Sequence, residues 1–235
     1  MQAGLFAANV DFHDDLIRNI AGIRKSQNLF DDLSPNPTDW EIAIAAEGAA
    51  RIPTAAALIS RPFDYGTVIS YSFESAHWQA TRYSDGTTYG VWYGALDIET
   101  TVYETAWHWY RFVTDSFPSE DREIVTERRV FAVRCDALLV DLRGKRVTHP
   151  DLVNRSNYAF TQQIGRYLHE QGLNGLLAPA ARCDGVNAAI FKQERLSNVR
   201  DRAILTYRLN AVRDTFAAER TPGRKWIRLA PSTLA

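Results

Sequence analysis

Apolar residues along this chain keep two different rhythms. Within the first sixty positions Leu16, Ile17, Ile20 and Ile23 recur at helical spacing in DDLIRNIAGI. The segment DDLSPNPTDWE then breaks the pattern with two prolines. Thr38 and Glu41 form a T-x-x-E capping box that opens a helix through EIAIAAEGAARI, and Pro53 ends it. A helical arm over residues 1–60 is therefore expected. From residue 61 the texture changes to short aromatic and β-branched runs, GTVISYSF, HWQATRYS and GVWYGALD, divided by Gly and Asp, which predict strands. Asp97 caps a helix that starts at Ile98 and continues through ETTVYETAWHWYRFV. Two strands follow, ERRVFAVRC and ALLVDL, and then a helix near SNYAFTQQIGRYLHEQ that Gly172 stops. GLLAP, NAAIF and RDRAILTYRL complete the strands, and the tail from Asp214 shows turn signals without a period. The pattern predicts an α+β class: a mixed, mainly antiparallel sheet with flanking helices over residues 61–235, plus the arm.

Composition narrows the classes of function. Hydrophobic residues at 46% and charged residues at 23% suit a soluble globular domain. A net charge of −1 with no long basic run argues against direct nucleic-acid binding. No apolar run approaches the ~20 residues that span a bilayer, and the N-terminal MQAGLFAANVDFHDD lacks the basic and apolar regions of a signal peptide. Cys135 and Cys183 lie far apart, without CxxC spacing, so neither a zinc site nor a disulfide is expected. A reducing, cytoplasmic setting fits.

No GxSxG elbow, P-loop or GxGxxG turn is present. Glu104 and His108 share a helix face and offer two metal ligands, but no second cluster completes a site, so no metal is expected. The densest signal is RYSDGTTYGVWYGALDIETTVYETAWH, residues 82–108, where Arg82, Tyr93 and Glu104 follow one another at intervals of 11. Placed on strand, strand and helix, the three converge at one sheet end. An arginine forks onto phosphate, a tyrosine ring stacks on a flat heterocycle, and a carboxylate stabilises positive charge on a sugar carbon. Those are the parts needed to split a nucleotide N-glycosidic bond. Arg, Tyr and Glu are common residues, so spacing alone leaves a purely structural role open.

The same stretch, ATRYSDGTTYGVWYGALDIETTVYE, resembles the RES-domain family, whose pattern is similar to G-x-R-[FY]-x-x-x-G-x-x-[GV]-V-L-Y-x-A followed by A-x-x-E. Arg82, Tyr93 and Glu104 stand at its arginine, tyrosine and glutamate, and Arg61 in ISRPFDYG matches an upstream arginine. A second family segment, G-[IL]-x-x-P-S-x-R-x-x-G-x-N-[LV]-x-[LI]-F, is retained in GLLAPAARCDGVNAAIF through Gly175, Pro179, Arg182, Gly185, Asn187 and Phe191. Its serine position holds Ala180.

The resemblance implies a fold similar to diphtheria-toxin-type ADP-ribosyltransferases and makes residues 61–235 a RES-like NAD-binding catalytic domain. NAD is then the substrate rather than a prosthetic group, cleaved by hydrolysis or phosphorolysis, with Glu104, Arg82 and Tyr93 catalytic and Arg61, Arg82 and Tyr93 binding substrate. It further implies the toxin half of a bacterial toxin–antitoxin pair. The partner is an Xre-type helix-turn-helix antitoxin that blocks the site and through which the toxin oligomerises. Arg61, Arg82 and Arg182 are expected near the cleft, where they suit a carboxylate of an inserted antitoxin segment. Transfer of ADP-ribose to a protein is one alternative. A weakened RES-like domain kept for partner binding is another, motivated by Ala180, which is expected to border the cleft within reach of Glu104.

Overall fold

The computed structural model describes residues 4–21, 67–119 and 121–235. The helical reading of residues 22–60, with the Thr38–Glu41 box and Pro53, lies outside them, as does Arg61. The described strands are β1 (Asn9–Ala21), β2 (Trp92–Ala95), β3 (Ile124–Asp141), β4 (Gly175–Pro179), β5 (Val186–Ile190), β6 (Leu196–Asn210), β7 (Thr215–Thr221) and β8 (Arg224–Leu229). The α-helices are a single turn, α1 (Thr67–Ser70), then α2 (Ile98–Ser116) and α3 (Ala159–Glu170).

The strands form one sheet in the order β1-β2-β5-β4-β3-β6-β7-β8, with β1 also paired to β3. β3 makes this possible by its length. One of its edges carries β1 from Asn9↔Val140 to Ala21↔Arg128. Its other edge carries β6, from Ile124↔Leu209 to Cys135↔Leu196, and then β4 in parallel at Val140↔Leu176. The single register pair Ile17↔Ala95 joins β1 to β2, and so closes β3, β1, β2, β5 and β4 into a ring. β3–β4 is the parallel pair; the other pairings among the described residues are antiparallel. This matches the mixed, mainly antiparallel α+β sheet expected from the sequence.

The two-residue period of the strands sorts their side chains onto two faces. Val130 and Ala132 of β3 join Ile17, Leu205 and Tyr207 under Val102, Ala106 and Val113 of α2. Phe131, Val133 and Cys135 point the other way, to Leu16, Trp92, Leu177 and Val68. Beside the α2 cluster, Leu176 and Ala178 of β4 pack with Ile164 and Leu168 of α3 and with Tyr83 and Tyr89. Gly172, at φ 68°, stops α3 as its sequence signal predicts.

Several sequence expectations are corrected. Leu16 and Ile17 are not on a helix but on β1, and they face opposite cores, Leu16 among the Trp92 cluster and Ile17 under α2. A strand covered on both faces carries consecutive apolar residues, which the helical template also matches. From Thr67 on, the runs GTVISYSF and HWQATRYS are not strands: residues 67–84 hold α1, a 3-10 turn at Ser75–His77 and a lone Thr81↔Ser84 bridge. Their indoles and those nearby bind main-chain carbonyls, Trp92 Nε1 that of Val68 at 2.9 Å and Trp78 Nε1 that of Phe73 at 3.2 Å. The expected strands 127–135 and 137–142 are one continuous β3. The tail holds the β7–β8 hairpin, whose TPG turn places Gly223 at φ 79°. Among the described residues no helix is long and apolar enough to cross a membrane.

Candidate active site

The site is built on α2, whose start is fixed by Asp97. Its carboxylate accepts from both the amide and the hydroxyl of Thr100, each at 2.7 Å. Rotation of the helix is set by a buried polar plug against the sheet. Thr105 Oγ1 and the Tyr207 hydroxyl meet at 2.9 Å, and Asn19 Nδ2 donates to Tyr207 and to Thr101. Arg128 Nε in turn donates to Asn19 Oδ1 at 2.9 Å. With Thr101 and Thr105 held this way, Glu104 is directed toward the loop that follows β4.

There the carboxylate of Glu104 meets three donors. Oε1 accepts from the Ala181 amide and from Asn187 Nδ2, both at 3.1 Å. Oε2 accepts from Arg182 Nη1 at 2.7 Å. The Arg182 side chain is 1% exposed and its guanidinium lies 5.5 Å from the Trp107 ring centre, whereas Glu104 keeps 17% of its side chain open. The loop that carries Ala181 and Arg182 is tied from behind. The Ala180 amide donates to the Gly185 carbonyl at 2.9 Å. Arg146 Nη2 reaches the carbonyls of Ala180 and Cys183, and Arg155 Nε reaches that of Ala181. Carbonyls drawn outward to cations leave the Ala181 amide turned inward to the carboxylate.

Tyr93 on β2 and Arg82 in the preceding loop are linked. The Tyr93 hydroxyl accepts from the Tyr83 amide at 2.9 Å and shares a hydrogen bond with Thr81 at 2.8 Å. Burial pushes this phenol up to about 12, so it stays protonated. Arg82 Nη1 donates to the carbonyls of Leu152 and Asn154 at 3.2 and 2.8 Å, and the guanidinium lies 4.6 Å from the Tyr158 ring centre. Four buried donor atoms of this region have no partner: Arg82 Nη2, the Tyr83 hydroxyl, and Arg182 Nε and Nη2. Unmade hydrogen bonds of this kind cost stability unless an acceptor, water included, meets them. Asn187, which holds Glu104, stands on β5 two residues from Ala189, the register partner of Tyr93, so Asn187 and Tyr93 lie on one face of the sheet. Burial, reinforced by Arg182, lowers the pKa of His108 from its ordinary value.

The Tyr83 amide joins the Arg82 loop to Tyr93, and the β2–β5 pairing sets Tyr93 beside Asn187, the partner of Glu104, with Arg82 on a loop rather than a strand. Ala180 is fully buried and directly precedes the amide that binds Glu104. Among the described residues no group of three or more His, Cys, Asp and Glu is placed to hold a metal ion. Sequence reasoning did not give Arg182 and Asn187 as partners of Glu104. They lie 78 and 83 residues away in the chain, and only the A-P-A-A-R-C-D-G-V-N segment signalled their importance. Chemically, the arrangement is a carboxylate fixed in one position, partly open, beside buried donors that lack acceptors. It suits a ligand that develops positive charge at one atom and carries oxyanions at another.

The family model described as RES domain matches residues 49–210. No curated protein sequence matches the chain. Among solved structures, the M. tuberculosis MbcT–MbcA toxin–antitoxin complex is similar at 11% identity and a TM-score of 0.45, over 87% of this chain and 88% of that one.

Proposed function

The chain belongs to the RES-domain family, and from that premise we propose that it is the toxin half of a bacterial toxin–antitoxin pair that destroys NAD by breaking the nicotinamide–ribose bond. The observation that carries this reading is Glu104, immobile on three donors yet partly open. As the C1′–N bond lengthens, positive charge gathers on the ribose carbon, and a fixed carboxylate stabilises it without reorganising. Nicotinamide is bound as a pyridinium and leaves as the neutral base with the bonding electron pair, so the step needs no general acid. Water adding to C1′ and losing a proton completes hydrolysis to ADP-ribose; inorganic phosphate in its place completes phosphorolysis.

In this reading the unpartnered Arg82 Nη2 donates to a diphosphate oxygen, and the Tyr93 ring, half-buried on β2, walls the nicotinamide. A fold of the diphtheria-toxin ADP-ribosyltransferase type accords with such a site. An Xre-type helix-turn-helix antitoxin covers its mouth and supplies the DNA-binding charge that a chain of net charge −1 lacks. Arg182 does not serve that antitoxin, because it is buried and already bonded to Glu104. Of the three arginines expected near the cleft, Arg82 is the one among the described residues that remains for an inserted carboxylate.

Ala180 favours a second reading, a partner-binding domain of low activity, since a methyl group stands beside the Glu104 donors where the family pattern has a hydroxyl. The test is nicotinamide release from NAD by the purified chain and by Ala180→Ser, with and without phosphate. The NAD-cleaving reading expects release from both, about tenfold or more faster with serine. Absence of release from both leaves the partner-binding reading.

A further inference from the structure

The Glu104–Arg182 pair is an expensive contact for the fold to keep. The Arg182 side chain is 1% exposed, and its Nε and Nη2 are buried with no partner while Nη1 alone binds the carboxylate. Removing two charges from water offsets most of their attraction, and well-packed apolar residues often serve stability as well or better. The two unmade hydrogen bonds add to the cost. For Glu104, however, the pair does what stability alone does not require. It confines the carboxylate to one rotamer, with Asn187 and the Ala181 amide on one oxygen and a cation on the other.

We propose that Arg182 is a positioning residue that holds Glu104 in its reactive orientation, with the loop bound by Arg146 as its mount. This rests on the reading of Glu104 as the carboxylate that faces the reacting sugar carbon. Buried as it is, Arg182 acts through Glu104 and not on the ligand. Arginine suits the place because its planar fork gives one N–H to the carboxylate while its plane lies near the Trp107 indole, 5.5 Å from the ring centre. Lysine keeps the charge on a compact, strongly hydrated ammonium and loses that geometry. The Ala180 and Cys183 carbonyls, held by Arg146 at 2.7 and 2.6 Å, bracket Arg182 in sequence and fix where its side chain begins.

The experiment compares the full chain with Arg182→Met and Arg182→Lys, measuring kcat and KM for nicotinamide release together with crystal structures of the free proteins. Displacing a reacting group by about 1 Å costs on the order of a hundredfold, so kcat of Arg182→Met falls by about that factor with KM nearly unchanged. Arg182→Lys recovers part of the loss. In Glu104→Gln, adding Arg182→Met causes little further loss, because the arginine has nothing left to orient; this comparison within the double variant also serves if Arg182→Met alone folds poorly. A kcat of Arg182→Met within a few-fold of the parent, or equal loss in Met and Lys variants, overturns the proposal while leaving NAD cleavage intact. If neither the parent nor Ala180→Ser releases nicotinamide, the functional reading fails instead. The crystal structures then decide the positioning role. Glu104 displaced from Asn187 and Ala181 in Arg182→Met supports it, and an unmoved carboxylate refutes it.

Discussion

Gly185 approaches Thr100 so closely that a Cβ at position 185 would lie 1.8 Å from Thr100 Oγ1. The backbone conformation at 185 is open to any residue, so the demand for glycine is one of space between the site loop and the first turn of α2. Gly185→Ala is therefore expected to lift the loop from the helix and to destabilise the protein by ~1–3 kcal/mol, as overpacking does. Urea unfolding checks this. Thr100→Ala in the same chain should recover part of the loss, and a purely additive double variant would show that the two residues do not compete for that space.

Tyr93→Phe removes the acceptor for the Tyr83 amide and the partner of Thr81. Leaving a buried donor unmade costs ~1–3 kcal/mol, and the loop it loosens carries Arg82. Thermal or urea unfolding should register that loss, and KM for NAD should rise more than kcat falls. A kcat effect alone, at unchanged stability, would place the hydroxyl in the chemistry instead of in the loop.

His108 gives a pH test with a definite sign. Its folded-state pKa is depressed, chiefly by burial and then by Arg182, so the unfolded chain takes up the proton first. The stability it contributes is present above the ordinary 6.5 and is lost as pH falls from there toward the lowered folded value. The melting temperature of the parent should drop more between pH 7.5 and pH 5.5 than that of His108→Gln, about one pH unit to either side of the ordinary histidine range. Identical slopes would mean that the ring is protonated at no cost in the folded protein.

Legibility in the sequence follows the range of the forces involved. The α2 cap at Asp97, the stop at Gly172 and the strands β2, β4, β5 and most of β6 are local events, and spacing and turn residues reveal them. β1 is hidden because its apolar residues serve two cores at once, and β7 because Phe216, Ala217, Ala218 and Glu219 are consecutively buried. Around the site, Glu104, Arg82 and Tyr93 stand out through their spacing and the family pattern. Their partners do not, because the Arg182 and Asn187 bonds to Glu104 exist only after the ring of strands has closed and brought the end of β4 to α2. The sequence around Arg82 reads as a strand because its aromatic neighbours mimic one. In the structure those neighbours fold the chain into turns that offer its guanidinium to the carbonyls of Leu152 and Asn154.

Glu104 is where the chemistry stands or falls, and the most direct measurement is nicotinamide released from NAD by the purified chain and by Glu104→Gln at equal concentration, with folding verified by circular dichroism. The substituted amide keeps the shape and an acceptor for Ala181 and Asn187 while removing the charge that faces the sugar carbon. Release should fall by roughly a hundredfold or more in the folded variant, the scale on which losing one electrostatic stabiliser acts. Equal release by the two proteins would mean that Glu104 is a structural anion and that the NAD-cleaving centre, if the chain has one, lies elsewhere.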